Sequence, residues 1–402
     1  MIDSSATGDA GRAIFMENAV KETRPALDTM TPEQRLHASI ALEPVDRVAC
    51  SLFVQGYGAK FAGVTQAKFF NDVDLAMRCL DKMKAAYPLW DVIRSSYADL
   101  GYSPSLRNRW FQKVALPGEE LPEDTPYQIH EEALVTQEEL RAVKKTGMIK
   151  YMQTVTKRIR PDKGLIHFLI WQMRRNKIAK RDIAAAKKRG QAFYYGGTLA
   201  IPFEMFSMTR GLNDFTKDMY RLKDELAEIM WAIQDDSVKM AVNECKVSGV
   251  KRVFVVGCRC GTAFLNKKQF ETYSWPFLKD GALKLIKAGL TPVFHLDTDW
   301  GRALEYFLEL PKGKCIIETD GETDLVRAKE ILRDHSCLAG DVPPALLTVG
   351  SATEVDEYCK KLIEVVGKGG GFILSNGCTL PPDSKHENVK ALIESVGKYG
   401  RN

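Results

Sequence analysis

The stretch Thr291 to Asp299, TPVFHLDTD, decides the fold. It is an apolar run that turns polar at its end, in His295, Asp297, Thr298 and Asp299. A buried strand that becomes polar at its C-terminal end is how a parallel α/β barrel presents its chemistry. His295 and Asp297 are two residues apart, so a strand points both to the same face. A second stretch belongs with the first: the apolar Gly371 to Leu374 runs into Ser375 to Pro382, SNGCTLPP, with an Asn-Gly turn and Cys378. A thiolate from that strand end would meet the imidazole and carboxylate of the first.

Outward from these stretches the chain alternates. Strands are expected at Val48–Val54, Trp90–Ile93, Phe193–Leu199, Arg252–Gly257, Thr291–Asp297, Cys315–Thr319, Ser336–Ala339 and Phe372–Leu374. Helices are expected between them, at Ala67–Ala86, within Thr216–Val247 and Asn266–Ala288, and at Trp300–Glu309, Asp324–Leu332, Thr353–Val366 and Glu387–Tyr399. Eight strands alternating with helices predict a (β/α)8 barrel, a TIM-type fold, over an open doubly wound sheet. The turn after the first strand, VQGYGA, is a poor match to a dinucleotide fingerprint.

Residues 1–30 read as an N-terminal arm and 31–402 as a single barrel domain. Thr31-Pro-Glu-Gln opens a helix with Thr as N-cap, Pro at the first turn and Gln34 at the capping-box position. Residues 101–190 interrupt the pattern and predict an insertion or cap. Its long basic helical stretch, Thr136 to Arg189, reads either as a solvated face or as a docking surface.

The apolar fraction of 45%, the charged fraction of 27% and the net charge of +5 are those of a globular protein with a mild basic excess. They give no argument for nucleic acid. No apolar run reaches the roughly 18 residues of a membrane span. The nine cysteines have no framework spacing, which predicts reduced thiols in a cytoplasm.

His295, Asp297 and Cys378 are three competent zinc ligands that leave a position open. The bland alternative is that Asp297 only orients His295 while Cys378 fills a turn. Glu318 and Asp320 end the next strand and read as a ligand, as an acid or base, or as caps of the following helix, with capping the default for Asp320. The spacing Cys258-Arg-Cys260 predicts no structural zinc site. Tyr195, Phe203 and Met205 belong to an aromatic and methionine cluster that reads as core or as an apolar substrate wall.

With those residues in view, the chain resembles the uroporphyrinogen decarboxylase superfamily, and within it the corrinoid-dependent methyltransferase branch. The resemblance rests on TPEQRLHASIALEPVDRV, LKDELAEIM, QFETYSWPFLK, GDVPPALLTVGSATEV and above all GGGFILSNGCTLPPDSKHENVKAL. It implies a (β/α)8 barrel with its site at the C-terminal mouth, cobalamin carried by a partner corrinoid protein, and a homodimer. Members that methylate thiols carry a zinc site of His-x-Cys plus a later Cys. His295 and Cys378 match its ends, while Asp297 stands at the middle position. An oxygen ligand in place of sulfur makes a bound metal harder and more Lewis-acidic. The decarboxylase's arginine motif is absent, and no Arg pair near residues 31–60 stands ready for a porphyrin's carboxylates. These features lead to O-demethylation of a small methoxylated, aromatic substrate, with the methyl group passing to the cobalt of a corrinoid protein. The alternatives are a zinc-dependent methylcobalamin:thiol transfer of the coenzyme M type and a tetrapyrrole-binding barrel.

Overall fold

The structure, a computed structural model, describes residues 27–401 apart from 95–96 and 162–164. Residues 1–26 of the expected arm lie outside the described residues. The strands in chain order are β1 Ala49–Leu52, β2 Val92–Ile93, β3 Lys113–Ala115, β4 Gln128–His130, β5 Ala192–Phe193, β6 Gly197–Leu199, β7 Arg252–Gly257, β8 Thr291–Leu296, β9 Ile316–Thr319, β10 Cys337–Val342 and β11 Phe372–Asn376. Nine of them form one parallel sheet in the order β5-β2-β1-β11-β10-β9-β8-β7-β6. The ends of that sheet, β5 and β6, are separated by only Tyr194, Tyr195 and Gly196. They are two halves of one stave, the first pairing with β2 and the second with β7. The sheet therefore closes into an eight-stave (β/α)8 barrel.

Two interior layers follow from strand alternation. The lower one is apolar and contains Ala49, Val92, Ala192, Val293, Ile316, Ala339 and Ile373. Two residues further along the staves the interior turns polar, with Ser51, Arg94, Tyr194, His295, Glu318 and Ser375, each buried. The helix Pro32–Ala41 plugs the floor, its Leu36 and Ile40 joining the apolar layer. Its capping box at Thr31 and Gln34 is formed as the sequence predicts.

Beside that plug lies a buried ion cluster. Arg35 and Arg47 bind Asp28, Asp46 and Asp91, and every guanidinium nitrogen of both arginines has a partner. These are the two arginines between residues 31 and 60, and the floor uses them completely.

Besides the strand expected over Phe193–Leu199, which is broken at Tyr194–Gly196, three local expectations differ from the structure. The helix expected over Ala67–Ala86 is two, Gln66–Asn71 and Val73–Ala86, because Asp72 turns its carboxylate onto Leu75 N at 2.9 Å and starts a new helix. The segment Trp300–Glu309 forms only a 3-10 turn at Leu304–Glu309. Its first residues are held by Thr323 Oγ1 on Trp300 N and by Asp299 on Gly301 N. A short helix, Pro344–Val349, precedes the expected one, which spans Ala352–Val365. Between β2 and β5 the chain forms two short helices, the antiparallel pair β3–β4, and two long helices, Gln137–Ile159 and Leu165–Lys188.

Candidate active site

The polar layer and the loops above it assemble one cluster at the C-terminal mouth. His295, near the end of β8, is 3% exposed. Its Nδ1 lies 2.5 Å from Glu318 Oε1 on β9, the register partner of His295. Arg94, two residues past Val92 on the β2 stave, grips the same Glu318 oxygen, donates to Asn376 O at 2.6 Å and lies 4.8 Å over the Phe53 ring. The chain Arg94–Glu318–His295 fixes the imidazole, so that Nε2 is the nitrogen turned to the mouth.

His295 Nε2 is 3.2 Å from Asp297 Oδ1 and 3.9 Å from Cys378 Sγ. One donor atom from each of the three lies within 4.8 Å of the others. Asn376 fixes the turn that delivers Cys378: its side-chain oxygen accepts from Phe53 N at 3.0 Å, and its amide donates to Cys378 O. The Asn-Gly turn seen in the sequence is thus a clamp between β1 and β11.

The electrostatics follow from the pairing. Burial alone lowers the His295 pKa, but the adjacent Asp297 and the bonds to Cys378 and Glu318 raise it well above its ordinary value. Burial raises Asp297 and Glu318, yet His295 draws the former below the carboxylate range, and Arg94 with His295 draws down the latter. Cys378 is lowered against its burial by the imidazole it faces. Cys258, the residue after β7, is driven the other way: burial and the charges of the neighbouring Asp297 and Glu204 hold its thiol well above the ordinary pKa. Glu204 itself is buried and holds the loop Cys258–Cys260 by accepting from Arg259 N at 2.8 Å and Cys260 N at 3.0 Å.

The structure thus brings His295, Asp297, Glu318 and Cys378 together. Asp320 does not cap the next helix, whose N-cap is Asp324; it accepts from Thr298 N at 2.7 Å and Glu322 N at 3.0 Å and braces the loop after β8. Tyr195 packs against Phe254, with ring centroids 4.8 Å apart and the rings tilted by 39°. Phe203 and Met205, on the helix Pro202–Arg210, are 1% exposed and pack in the main core, Phe203 against Phe215. Arg94, Cys258, Glu204 and Asn376 were not among the predicted residues. Carrying the alternation one stave position beyond Val92 would have found Arg94, and doing so beyond Val256 would have found Cys258.

The donor set suits a three-ligand zinc site: an imidazole, a carboxylate and a thiol held below its usual pKa, with the other imidazole nitrogen already bound to a carboxylate.

Residues 180–399, more than half of the chain, match the family model described as uroporphyrinogen decarboxylase (URO-D). The chain belongs to the uroporphyrinogen decarboxylase family. Its curated relatives in that family include the uroporphyrinogen decarboxylase of Methylococcus capsulatus, 26% identical over 183 residues, which are 45% of this chain and 49% of the relative. The decarboxylase of Nitratiruptor sp. is 30% identical over 135 residues, 33% of this chain and 38% of the relative. The chain therefore spans about half or less of the length of the curated family members it matches. Over nearly its whole length it shares the fold of a methyltransferase from Methanosarcina mazei, with a TM-score of 0.62, 16% identity, and 92% of this chain and 99% of that one covered. Among the described residues no helix is long and apolar enough to cross a membrane.

Proposed function

We propose that this chain is a methyltransferase that moves a methyl group from a small methoxylated compound, an aryl methyl ether, to the cobalt of a corrinoid carried by another protein. The observation that carries the reading is the cluster of His295 Nε2, Asp297 Oδ1 and Cys378 Sγ at the barrel mouth, with a carboxylate where thiol-methylating members of the superfamily place a second sulfur. The fold shared with a methyltransferase supports it. The engagement of Arg35 and Arg47 in the floor supports setting porphyrin decarboxylation aside.

Cleaving an aryl methyl ether breaks the methyl–oxygen bond and leaves both electrons on the phenolic oxygen, a poor leaving group until that charge is met. Zinc held by His295, Asp297 and Cys378 would supply a Lewis acid for that oxygen, and the carried corrinoid the nucleophile for the methyl carbon. The chain's own residues set the stage. Glu318, anchored by Arg94, accepts at Nδ1 and leaves Nε2 facing the ether oxygen, either as a ligand or as the atom that holds a proton for the phenolate. Asp297 stabilises the positive charge at that position. Asn376 holds Cys378 in reach, and Glu204 keeps the Cys258 loop closed over Asp297.

A second reading is transfer to a thiol such as coenzyme M, favoured by the Cys258 sulfur that lies beside Asp297 and brings a second sulfur to the site. Both readings are tested by one experiment. A panel of methoxyarenes is assayed with a corrinoid protein whose cobalamin is reduced to cob(I)alamin, and separately coenzyme M with the methylated corrinoid protein, for wild type, His295→Ala and Cys378→Ser, with the zinc content of each. Methylation of cobalt by an arene that collapses in both variants is the expected result. Activity on the thiol alone replaces the preferred reading with the second, and activity on neither removes both.

A further inference from the structure

The helix Leu165–Lys188 leads into β5, so it runs against the staves, with its N-terminal end on the mouth side. Its 24 residues span about 36 Å, whereas a six-residue stave such as β8 spans about 20 Å. Its N-terminal turns lie beside chain that has just left the C-terminal end of β2. Trp171 Nε1 donates to Ser105 Oγ at 3.3 Å, Arg175 Nε to Asp99 at 2.7 Å, and Asp182 accepts from Tyr97 N at 2.6 Å.

The buried positions Trp171, Arg175, Ala179, Asp182, Ile183 and Ala186 mark the packed face. On the far side of the first turns stand Ile166 at 75% exposure, Leu169 at 51%, Ile170 at 44% and Met173 at 73%. Their spacing makes them one stripe. A contiguous apolar stripe on a solvent face marks an interaction site. It continues into Arg174, Lys177 and Lys180, all exposed and without a carboxylate partner among the described residues. The other basic residues at this end, Arg175 and Arg181, are taken by Asp99 and Asp74.

We propose that this stripe docks the corrinoid-carrying protein, through a surface on that protein that is apolar at its centre and acidic at its rim. The partner's identity rests on the proposed function; the surface and its chemistry rest on the stripe. An apolar centre bordered by charge is the anatomy of a protein interface. The border here is of one sign, so the matching surface carries the other. The stripe lies on the mouth side of the barrel, where a carried cofactor has to arrive.

The test uses the full chain and a panel of cobalamin-loaded corrinoid proteins, with binding measured by calorimetry and methyl transfer measured in parallel. Ile170→Asp with Met173→Asp, both exposed, is expected to weaken binding tenfold or more, and Arg174→Glu with Lys177→Glu likewise. Wild-type affinity is expected to fall as salt rises, since exposed charges are screened. Transfer to free cobalamin is expected to be unchanged in both variants, while KM for the carrier rises in step with Kd. Thermal unfolding of each variant excludes a folding defect. An unchanged Kd in both variants overturns the surface. So does a wild-type dimer that Ile170→Asp dissociates, or binding to phosphatidylserine vesicles that the variants lose while carrier affinity stays. If no carrier in the panel binds wild type, the surface is also overturned. Binding that is intact without methyl transfer from any donor removes the proposed function and leaves the surface standing.

Discussion

The barrel holds two buried arginine–carboxylate clusters, one at each end, and they are finished differently. At the floor, Arg35 and Arg47 share Asp28, Asp46 and Asp91, and no guanidinium nitrogen is left over. At the mouth, Arg94 shares Glu318 with His295, yet Arg94 Nε, Glu318 Oε2 and Thr298 Oγ1 have no hydrogen-bond partner among the described residues. A buried polar group without a partner costs about 1–3 kcal/mol. Saturation at the floor is what a structural cluster needs, and open valences at the mouth are what a site for a ligand keeps. The same chemistry thus reads as stability at one end of a barrel and as function at the other.

The comparison breaks most readily at His295. His295→Ala is expected to lower methyl transfer by about 100-fold or more, with the thermal midpoint close to wild type. A parallel loss of folding would make the mouth as structural as the floor. The floor should behave oppositely. Arg35→Met takes Asp46's guanidinium partner away and leaves Asp28 and Asp91 to Arg47, and is expected to cost about 3–5 kcal/mol in urea unfolding, while activity per folded molecule is unchanged.

Asp297→Cys sharpens the comparison by changing only the mouth. A softer ligand set is expected to hold zinc about tenfold more tightly against a chelator, and to shift activity from ethers toward thiols. Unaltered zinc retention would show that Asp297 does not hold a metal.

Asp341 is an intermediate case, a buried carboxylate bonded to Tyr358 Oη at 2.9 Å with no cation beside it among the described residues. Burial, against the Tyr358 and Thr319 bonds, raises its pKa to about 6. Its folded pKa lies above the unfolded one, so its contribution to stability is complete below about pH 4 and is lost as pH rises through 6. Asp341→Asn is expected to be more stable than wild type at pH 7, by on the order of 2 kcal/mol, with the difference vanishing near pH 4. Equal midpoints at both pH values would refute this.

Much of this was legible in the sequence. Alternation and polar strand ends marked the barrel, and TPVFHLDTD with SNGCTLPP marked the residues that the structure brings together at the mouth. What was not legible depends on contacts between distant staves. Arg94 has no motif, and becomes notable only when closure brings β2 across from β9. The ordinary strand Phe193–Leu199 gave no sign of the break at Tyr194–Gly196 that makes it the closing stave. Cys258 looked like half of an unpaired cysteine motif, because its partner, Asp297, is on the next stave. The packing of Phe203 and Met205 in the core is a matter of which way one helix turns, which composition does not encode.

The plugged floor has a kinetic consequence. With Leu36 and Ile40 seated in the barrel's lower layer, the small methoxylated molecule and the bulky carrier of the proposed reaction share one doorway. The smaller has to enter first, because the larger, once seated, closes the way behind it. If the proposed reaction holds, the phenol would leave only after the carrier had gone, which predicts ordered turnover and inhibition by excess carrier that arrives before the ether.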